Sequence, residues 1–328
     1  MQKEKLKILI IRFSSIGDII YTTPVVRCLK QQVPGVEIHF LTKPGFRFIL
    51  DNNPYVDKLH LLQNHLNDTI RELKAEQFDY VIDLHNSLRS VLVKYKLGVK
   101  FYTFKKQRIR KILALKFKLN TVKPTHLVDR YLETIKFLGV VNDQKPVDYF
   151  LPGDYSLNTL LPETHQQDYV AFIIGATHFT KRMPNEQVVS ICQSLNKPVV
   201  LLGGKDVEEN GAIITEAAGA KVYNACGKLN MNESVYVVKQ AAKVIGFDTG
   251  LTHISEAFNK ELVTIWGSTV PELLGVQPYQ VTKHYEAGVE LPCRPCTKFG
   301  RSECPLGHFK CMRDIDEKAI VDFVNREL

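Results

Sequence analysis

No apolar run in this chain approaches the ~20 residues that a helix needs to cross a bilayer, which argues against a helical membrane anchor. An export signal is also missing: the apolar run Ile8 to Ile11 is short, and Arg12 follows it where a cleavage site would stand. A cytoplasmic protein is therefore expected, and disulfides are disfavoured there. Acidic residues are absent between Lys94 and Lys118, so nothing local neutralises the cations of that stretch. No recognisable nucleic-acid-binding module accompanies those cations, which makes a polynucleotide the weakest of the partners they suggest. A second Cys-x-x-Cys pair is lacking too, which counts against a standard zinc ribbon.

What is present is a chain of 328 residues, long for one core, so two domains of ordinary size are expected. The formal net charge of +8 points to an anionic partner without separating nucleic acid, phospholipid and phosphorylated sugar. Two strand-to-helix junctions stand out. In the first, Lys7 to Ile11 runs apolar into Arg12-Phe13-Ser14-Ser15-Ile16-Gly17-Asp18; in the second, Val244 to Phe247 runs into Asp248-Thr249-Gly250-Leu251-Thr252-His253. The first turn of a helix leaves backbone N–H groups without partners at its positive end, and Gly250 admits a ligand close to the backbone, so a phosphate suits the second junction. Thr249 and Thr252 add hydroxyls there, and the His253 ring is placed to face an anion. Ordinary helix capping by Asp248 or Thr249 is the competing account.

Together the two motifs, Ser-Ser-x-Gly-Asp and Asp-Thr-Gly-x-x-His, resemble those of glycosyltransferase family 9, the lipopolysaccharide heptosyltransferases. The likeness runs from about Lys7 to Met312. It implies an α/β protein of the GT-B type, two Rossmann-like domains whose parallel sheets face each other across a cleft. The expected division is 1–160 for an acceptor-binding domain, 161–313 for a nucleotide-sugar-binding domain with a Cys-rich tail, and 314–328 for a terminal helix. The loosened, Pro-containing stretch from Gln144 to Gln167 is the expected linker.

The order of elements agrees with a parallel sheet covered on both faces. After the first junction the pattern predicts a helix from Ile19 to Lys30, a strand Glu37 to Thr42, a short helix Gly45 to Leu50, a strand Lys58 to Leu62, a helix Asn67 to Ala75 and a strand Tyr80 to Leu84. Ligands of such sheets gather beyond the carboxyl ends of the strands, where Asp18 and His85-Asn86-Ser87 fall. The basic stretch Lys94 to Lys118, interleaved with aromatic and aliphatic residues, reads either as a solvated face or as a surface for an anionic membrane or phosphorylated lipid. Thr125 to Leu138 is a predicted helix with a Gly139 stop; its His126, Asp129 and Arg130 read as packing residues.

In the second half, the loop after Asp168 to Ile174 offers Thr177, Lys181 and Arg182. The resemblance assigns Thr177 and Lys181 to the donor diphosphate. Gly203-Gly204 permits close backbone approach, and the family pattern gives Glu208 the ribose hydroxyls, although Asp206, Glu208 and Glu209 also suit the helix dipole. Asp314-Ile315-Asp316 precedes a helix and reads as a cap rather than a metal motif. Cys293, Cys296, Cys304 and Cys311 form a compact set, and a four-thiolate structural zinc is the hypothesis that their chemistry allows.

The resemblance implies inverting transfer of heptose from ADP-heptose to the lipopolysaccharide inner core, by a protein lying peripherally on the inner membrane and requiring no cofactor. Asp18 is the expected base and Lys181 the expected catalytic cation. Ser14, Ser15, Gly17, Lys105, Lys106, Arg108 and Arg110 would hold the phosphorylated lipid A and core acceptor. Thr177, Glu208, Asp248, Thr249, Gly250, Leu251, Thr252 and His253 would hold the ADP-sugar. A related GT-B enzyme using another nucleotide sugar, or a non-catalytic anion- or nucleic-acid-binding protein, are the rival readings.

Overall fold

The computed structural model describes residues 6–117 and 125–326. The chain divides into two compact units between residues 150 and 151, with the stretch from 109 to 117 belonging to the second. Buried Arg27 ties the end of the first unit down, with Nε 2.8 Å from Asp143 and a second ion pair to Asp148.

The first unit is built on β1 (Lys7–Ile11), β2 (Glu37–Thr42), β3 (Lys58–Leu61), β4 (Tyr80–Asp83) and β5 (Lys100–Thr103), all parallel in the order β3-β2-β1-β4-β5. The central strands are covered on both faces and so read as unbroken apolar runs rather than alternating ones. Leu9, Ile11, Phe13, Leu41, Leu73 and Val81 form one buried core beneath the flanking helices.

The second unit carries β6 (Val170–Ile173), β7 (Val199–Leu202), β8 (Val222–Asn224), β9 (Lys243–Phe247), β10 (Glu261–Trp266) and β11 (His284–Gly288). These are again parallel, in the order β11-β10-β9-β6-β7-β8. Phe172, Leu201, Ile245, Phe247, Val263 and Ile265 lie in its core, which the last helix Glu317–Asn325 joins through Ile320 and Val324. Each sheet reverses its strand order once, between β1 and β4 in the first and between β6 and β9 in the second. The loops on either side of such a reversal diverge and leave a crevice beyond the strand ends.

Two predicted helices differ. The expected helix Ile19 to Lys30 is broken into Ile16–Ile20 and Thr23–Gln32, because the Thr22 hydroxyl donates back to the Ile19 carbonyl at 2.6 Å and Pro24 starts the new first turn. The expected helix Thr125 to Leu138 is α-helical only over Leu127–Leu132 and tightens to a 3-10 helix over Glu133–Leu138, which Gly139 closes at φ 74°. Asp316 caps the terminal helix by accepting the Ala319 N–H at 3.0 Å, as its position suggested.

Candidate active site

At the crevice of the first sheet, the chain leaves β1 through Arg12 to Ser15 and leaves β4 through Leu84 to Ser87. Asp18 is the third residue of the helix Ile16–Ile20, and its Oδ2 does three things. It accepts the Ser15 N–H at 3.2 Å and the Ser15 hydroxyl at 3.1 Å, and it pairs with the buried Arg12 guanidinium. The capping role and the ion pair thus fall on one oxygen, and Oδ1 has no partner among the described residues. Burial opposes charge on this carboxyl, but Arg12 and Ser15 outweigh it and hold Asp18 below the usual carboxylate range. Arg12 also donates to the Leu84 carbonyl at 2.7 Å, which locks the two turns together, and its cation lies 5.9 Å from the centre of the Tyr131 ring.

Asp83, the last residue of β4, organises the second turn. Its Oδ1 accepts the N–H groups of His85 at 3.0 Å and Asn86 at 2.7 Å, while Oδ2 takes the Ser90 hydroxyl and the Lys94 ammonium. Burial, then Arg12 and Lys106, push His85 down to about 4, so its ring is neutral. Arg12, Asp83 and Tyr131 were not singled out from the sequence. Arg12 and Asp83 stand at the strand ends of the pattern, which is the one signal that could have found them.

Of the expected acceptor residues, Ser14 is half-buried, Ser15 is exposed with its hydroxyl engaged by Asp18, and Gly17 is buried. Lys105 is exposed and Lys106 half-buried. Arg108 and Arg110 belong to a helix, Arg108–Phe117, but their side chains lie outside the described residues. That helix exposes Ile109, Ile112 and Phe117.

In the second sheet, Asp248 gathers the turns that follow β6, β9 and β10. Its Oδ2 accepts the Lys181 ammonium at 2.5 Å and the Thr269 hydroxyl at 3.0 Å, and its Oδ1 lies 3.2 Å from His253 Nε2. The other ring nitrogen of His253 meets Glu256 at 3.0 Å, and Glu256 in turn accepts the Tyr279 N–H. Burial opposes protonation of this ring, but the two carboxylates raise it to about 9, so His253 is an imidazolium at neutral pH. Asp248 is held well below the carboxylate range against its own burial, by His253 and Lys181.

These facts correct one expectation. The His253 ring does not present a nitrogen to a ligand, because carboxylates hold both; it offers charge instead. Its N–H is inside the helix, bonded to the Thr249 carbonyl at 3.2 Å, which leaves the N–H groups of Gly250, Leu251 and Thr252 as the first-turn donors. The Thr252 hydroxyl is buried without a partner among the described residues and packed over Gly246, where an added Cβ would lie 2.3 Å from Oγ1.

Thr177 is exposed and Thr249 half-buried. Glu208 is exposed, with its carboxylate 2.9 Å from the position of a Cβ on Gly227. Gly203 answers to packing, since a Cβ there would meet Val207 at 2.3 Å. Arg182 ties its loop to the Ala176 carbonyl and to Asp206. Thr180, missed in the sequence, is buried; its hydroxyl bonds Ser268 at 2.8 Å and receives the Arg301 N–H at 2.8 Å, joining the Cys-rich tail to the turn. Beyond Thr269 the chain lines a cavity of about 620 Å³ with Trp266, Pro271, Glu286 and Arg294.

The tail brings the four thiols near one another without closing them on a common point: Cys311 lies within electrostatic reach of Cys296, Cys304 and Cys293. Among the described residues no three of Cys293, Cys296, Cys304, Cys311 and His308 bring ligand atoms within 4.8 Å of one another. Cys311 is drawn into the apolar core, where burial and its neighbour Cys296 push the thiol up to about 11, and Cys296 donates to the Cys293 carbonyl at 3.3 Å.

The sequence model of "Glycosyltransferase family 9 (heptosyltransferase)" matches residues 67–306, most of the chain. This chain belongs to glycosyltransferase family 9. The family 9 chain is 27% identical over 294 residues to lipopolysaccharide heptosyltransferase 1 of Campylobacter coli, a match covering 80% of this chain and 84% of that one. A solved family 9 glycosyltransferase from Veillonella parvula superposes with a TM-score of 0.77 at 20% identity, covering 98% of this chain and 97% of its own. E. coli ADP-heptose lipopolysaccharide heptosyltransferase II superposes with a TM-score of 0.73 at 19% identity, covering 98% of both chains. The family 9 enzyme therefore has the two-sheet GT-B fold and is a glycosyltransferase. Among its described residues no helix is long and apolar enough to cross a membrane.

Proposed function

We propose that this family 9 glycosyltransferase moves heptose from ADP-heptose to the phosphorylated inner core of lipopolysaccharide, with inversion, at the inner face of the membrane. The observation that carries the reading is the set Lys181–Asp248–His253 at the strand reversal of the second sheet, buried at Asp248 and His253 and half-buried at Lys181, two cations fixed by one carboxylate beside a helix start. Names among the similar proteins support the substrates: one is a lipopolysaccharide heptosyltransferase, another carries ADP-heptose in its name.

On the donor side, Lys181, the imidazolium of His253 and the first-turn N–H groups of the helix Gly250–Ser255 stabilise the charge that develops on the leaving diphosphate. These groups supply the positive charge that a metal gives in other transferases, so none is required. Thr177, Thr249 and Leu251 border the diphosphate, and Glu208 accepts the ribose hydroxyls. On the acceptor side, Asp18 Oδ1 takes the proton of the attacking hydroxyl as the new C–O bond forms and the bond to the diphosphate breaks. Oδ2 stays with Arg12 and Ser15 and fixes the carboxylate. Ser14 and the cations Lys105, Lys106, Arg108 and Arg110 hold the acidic acceptor, and the exposed apolar residues of the helix Arg108–Phe117 rest on the membrane surface.

The test is transfer by purified wild type and Asp18→Ala, given ADP-heptose and heptose-deficient lipopolysaccharide, with and without a chelator. Loss in Asp18→Ala with donor binding retained, and no effect of chelator, is the expected result. A wild type that neither binds nor consumes an ADP-sugar overturns the proposal.

A further inference from the structure

A second cluster lies in the first unit, on the flank formed by β2, β3 and the end of the helix Leu66–Ala75, apart from Asp18 in the register of the sheet. β2 and β3 pair His39 with Lys58 and Leu41 with His60, which puts His39 and His60 on one face two positions apart. Both imidazoles are buried, their rings stack with centres 5.1 Å apart, and Phe78 closes on both edge-on. Each ring has its own carboxylate. His39 Nε2 is 2.7 Å from Glu37, and His60 Nδ1 is 2.5 Å from Glu72.

An ionised carboxylate only accepts, so each of those nitrogens carries the proton and donates. The remaining nitrogens, His39 Nδ1 and His60 Nε2, then present lone pairs to each other at 2.9 Å. Two lone pairs at that separation repel unless a positive species lies between them. Glu76, just past the helix end, completes the geometry. Its Oε2 is 3.9 Å from His39 Nδ1 while Oε1 is held by Lys58 at 2.5 Å, and Lys7 stands 3.6 Å from Oε2.

We infer that His39, His60 and Glu76 form a binding site for a divalent transition-metal cation of the zinc class. Their three ligand atoms already lie within 4.8 Å of one another. Tetrahedral zinc with bonds of 2.0–2.1 Å sets its ligand atoms about 3.3 Å apart, so side-chain adjustment without strand movement closes the site. Imidazole nitrogen favours this class over magnesium and calcium. Glu37 and Glu72 fix the two tautomers from behind, the arrangement that orients histidine ligands at zinc centres, and Lys58 does the same for the carboxylate. Three protein ligands leave a fourth position for water. The cation would clamp β2 and β3 to the helix that follows them, a structural role distinct from sugar transfer.

The full-length protein, stripped with chelator, is titrated with Co²⁺ followed by its visible ligand-field spectrum, then with Zn²⁺ followed by thermal unfolding. The expected result is one equivalent of Co²⁺ without intense thiolate charge-transfer bands, and a midpoint raised by Zn²⁺. His60→Gln and Glu76→Gln each abolish both signals, Glu72→Gln weakens affinity roughly 10–100-fold, and Cys293→Ser with Cys296→Ser leaves both intact. Far-UV circular dichroism checks folding, and Glu76→Gln carries the test if His60→Gln misfolds. A wild type that binds neither ion, which makes the bridging species a proton, overturns the inference. So does binding that survives Glu76→Gln or that shows thiolate bands.

Discussion

Lys181 and Asp248, 67 residues apart in sequence, form a mostly buried ion pair with Nζ 2.5 Å from Oδ2. It joins the turn after β6 to the turn after β9, so a cation and a helix start meet at the strand reversal. Asp248 serves as the anchor because His253 and Thr269 bind the same carboxylate.

Lys181→Ala is expected to reduce transfer by at least ~10²-fold, the scale seen when one preorganised charge-stabilising donor is removed. It also takes one of two cations from a buried carboxylate, and breaking a buried pair costs about 3–5 kcal/mol. Steady-state kinetics and denaturant unfolding measure the two effects. Unchanged kcat with lowered stability would leave Lys181 a structural residue only.

Asp18 and Arg12 are tied in a way that a pH profile exposes. Arg12 keeps Asp18 ionised to low pH, so the acid limb of kcat/KM in wild type lies below the ordinary carboxylate value. Arg12→Gln leaves burial opposing the charge, and the limb is expected to move up by about 1–3 pH units. A profile that stays in place in Arg12→Gln would show that Asp18 ionisation does not govern the rate.

His253 links the fold to pH. Its unfolded value is 6.5 and its folded value is raised to about 9, so protonation favours the folded state. That stabilisation is fully present below pH 6.5 and is lost as pH rises through about 9. At 1.36 kcal/mol per unit the span is about 3 kcal/mol. The difference in unfolding free energy between wild type and His253→Gln should shrink by that order between pH 6 and pH 9.5, approximately. A difference independent of pH would contradict the doubly paired imidazolium.

Thr252 offers the opposite sign. Its hydroxyl is buried over Gly246 with no partner, and replacing an unsatisfied buried polar group by an apolar one of the same shape is neutral or stabilising. Thr252→Val should leave the donor Kd unchanged and stability equal or about 1 kcal/mol higher. Calorimetry that shows donor binding weakened tenfold would return the hydroxyl to the ligand site.

The central strands β1, β6 and β9 were legible as continuous apolar runs. β2 spans Glu37–Thr42 as read although His39 interrupts it, and β3 and β4 end one residue earlier than predicted. The edge strand β11, His284–Gly288, was not read because it is polar and mostly unburied. Helix breaks were less so. Nothing local distinguishes Pro24 in an early turn from Pro24 starting a new one; the Thr22 hydroxyl decided it. Side-chain direction was the least legible feature. Thr252 and His253 are adjacent polar residues in the motif, yet one packs on a strand glycine and the other fills a pocket between carboxylates.

The sequence by itself determined the two sheets, the family and the strand ends where chemistry collects, since each follows from local pattern and from motifs contiguous in the chain. Only the tertiary structure decided which groups pair: Asp18 with Arg12, Asp83 with Lys94, Lys181 with Asp248, and His39 with His60. In a parallel sheet the strand ends that become neighbours are separated in sequence by the crossovers that join them. The charge state of each group is set by that neighbour and by burial, which the order of residues does not encode.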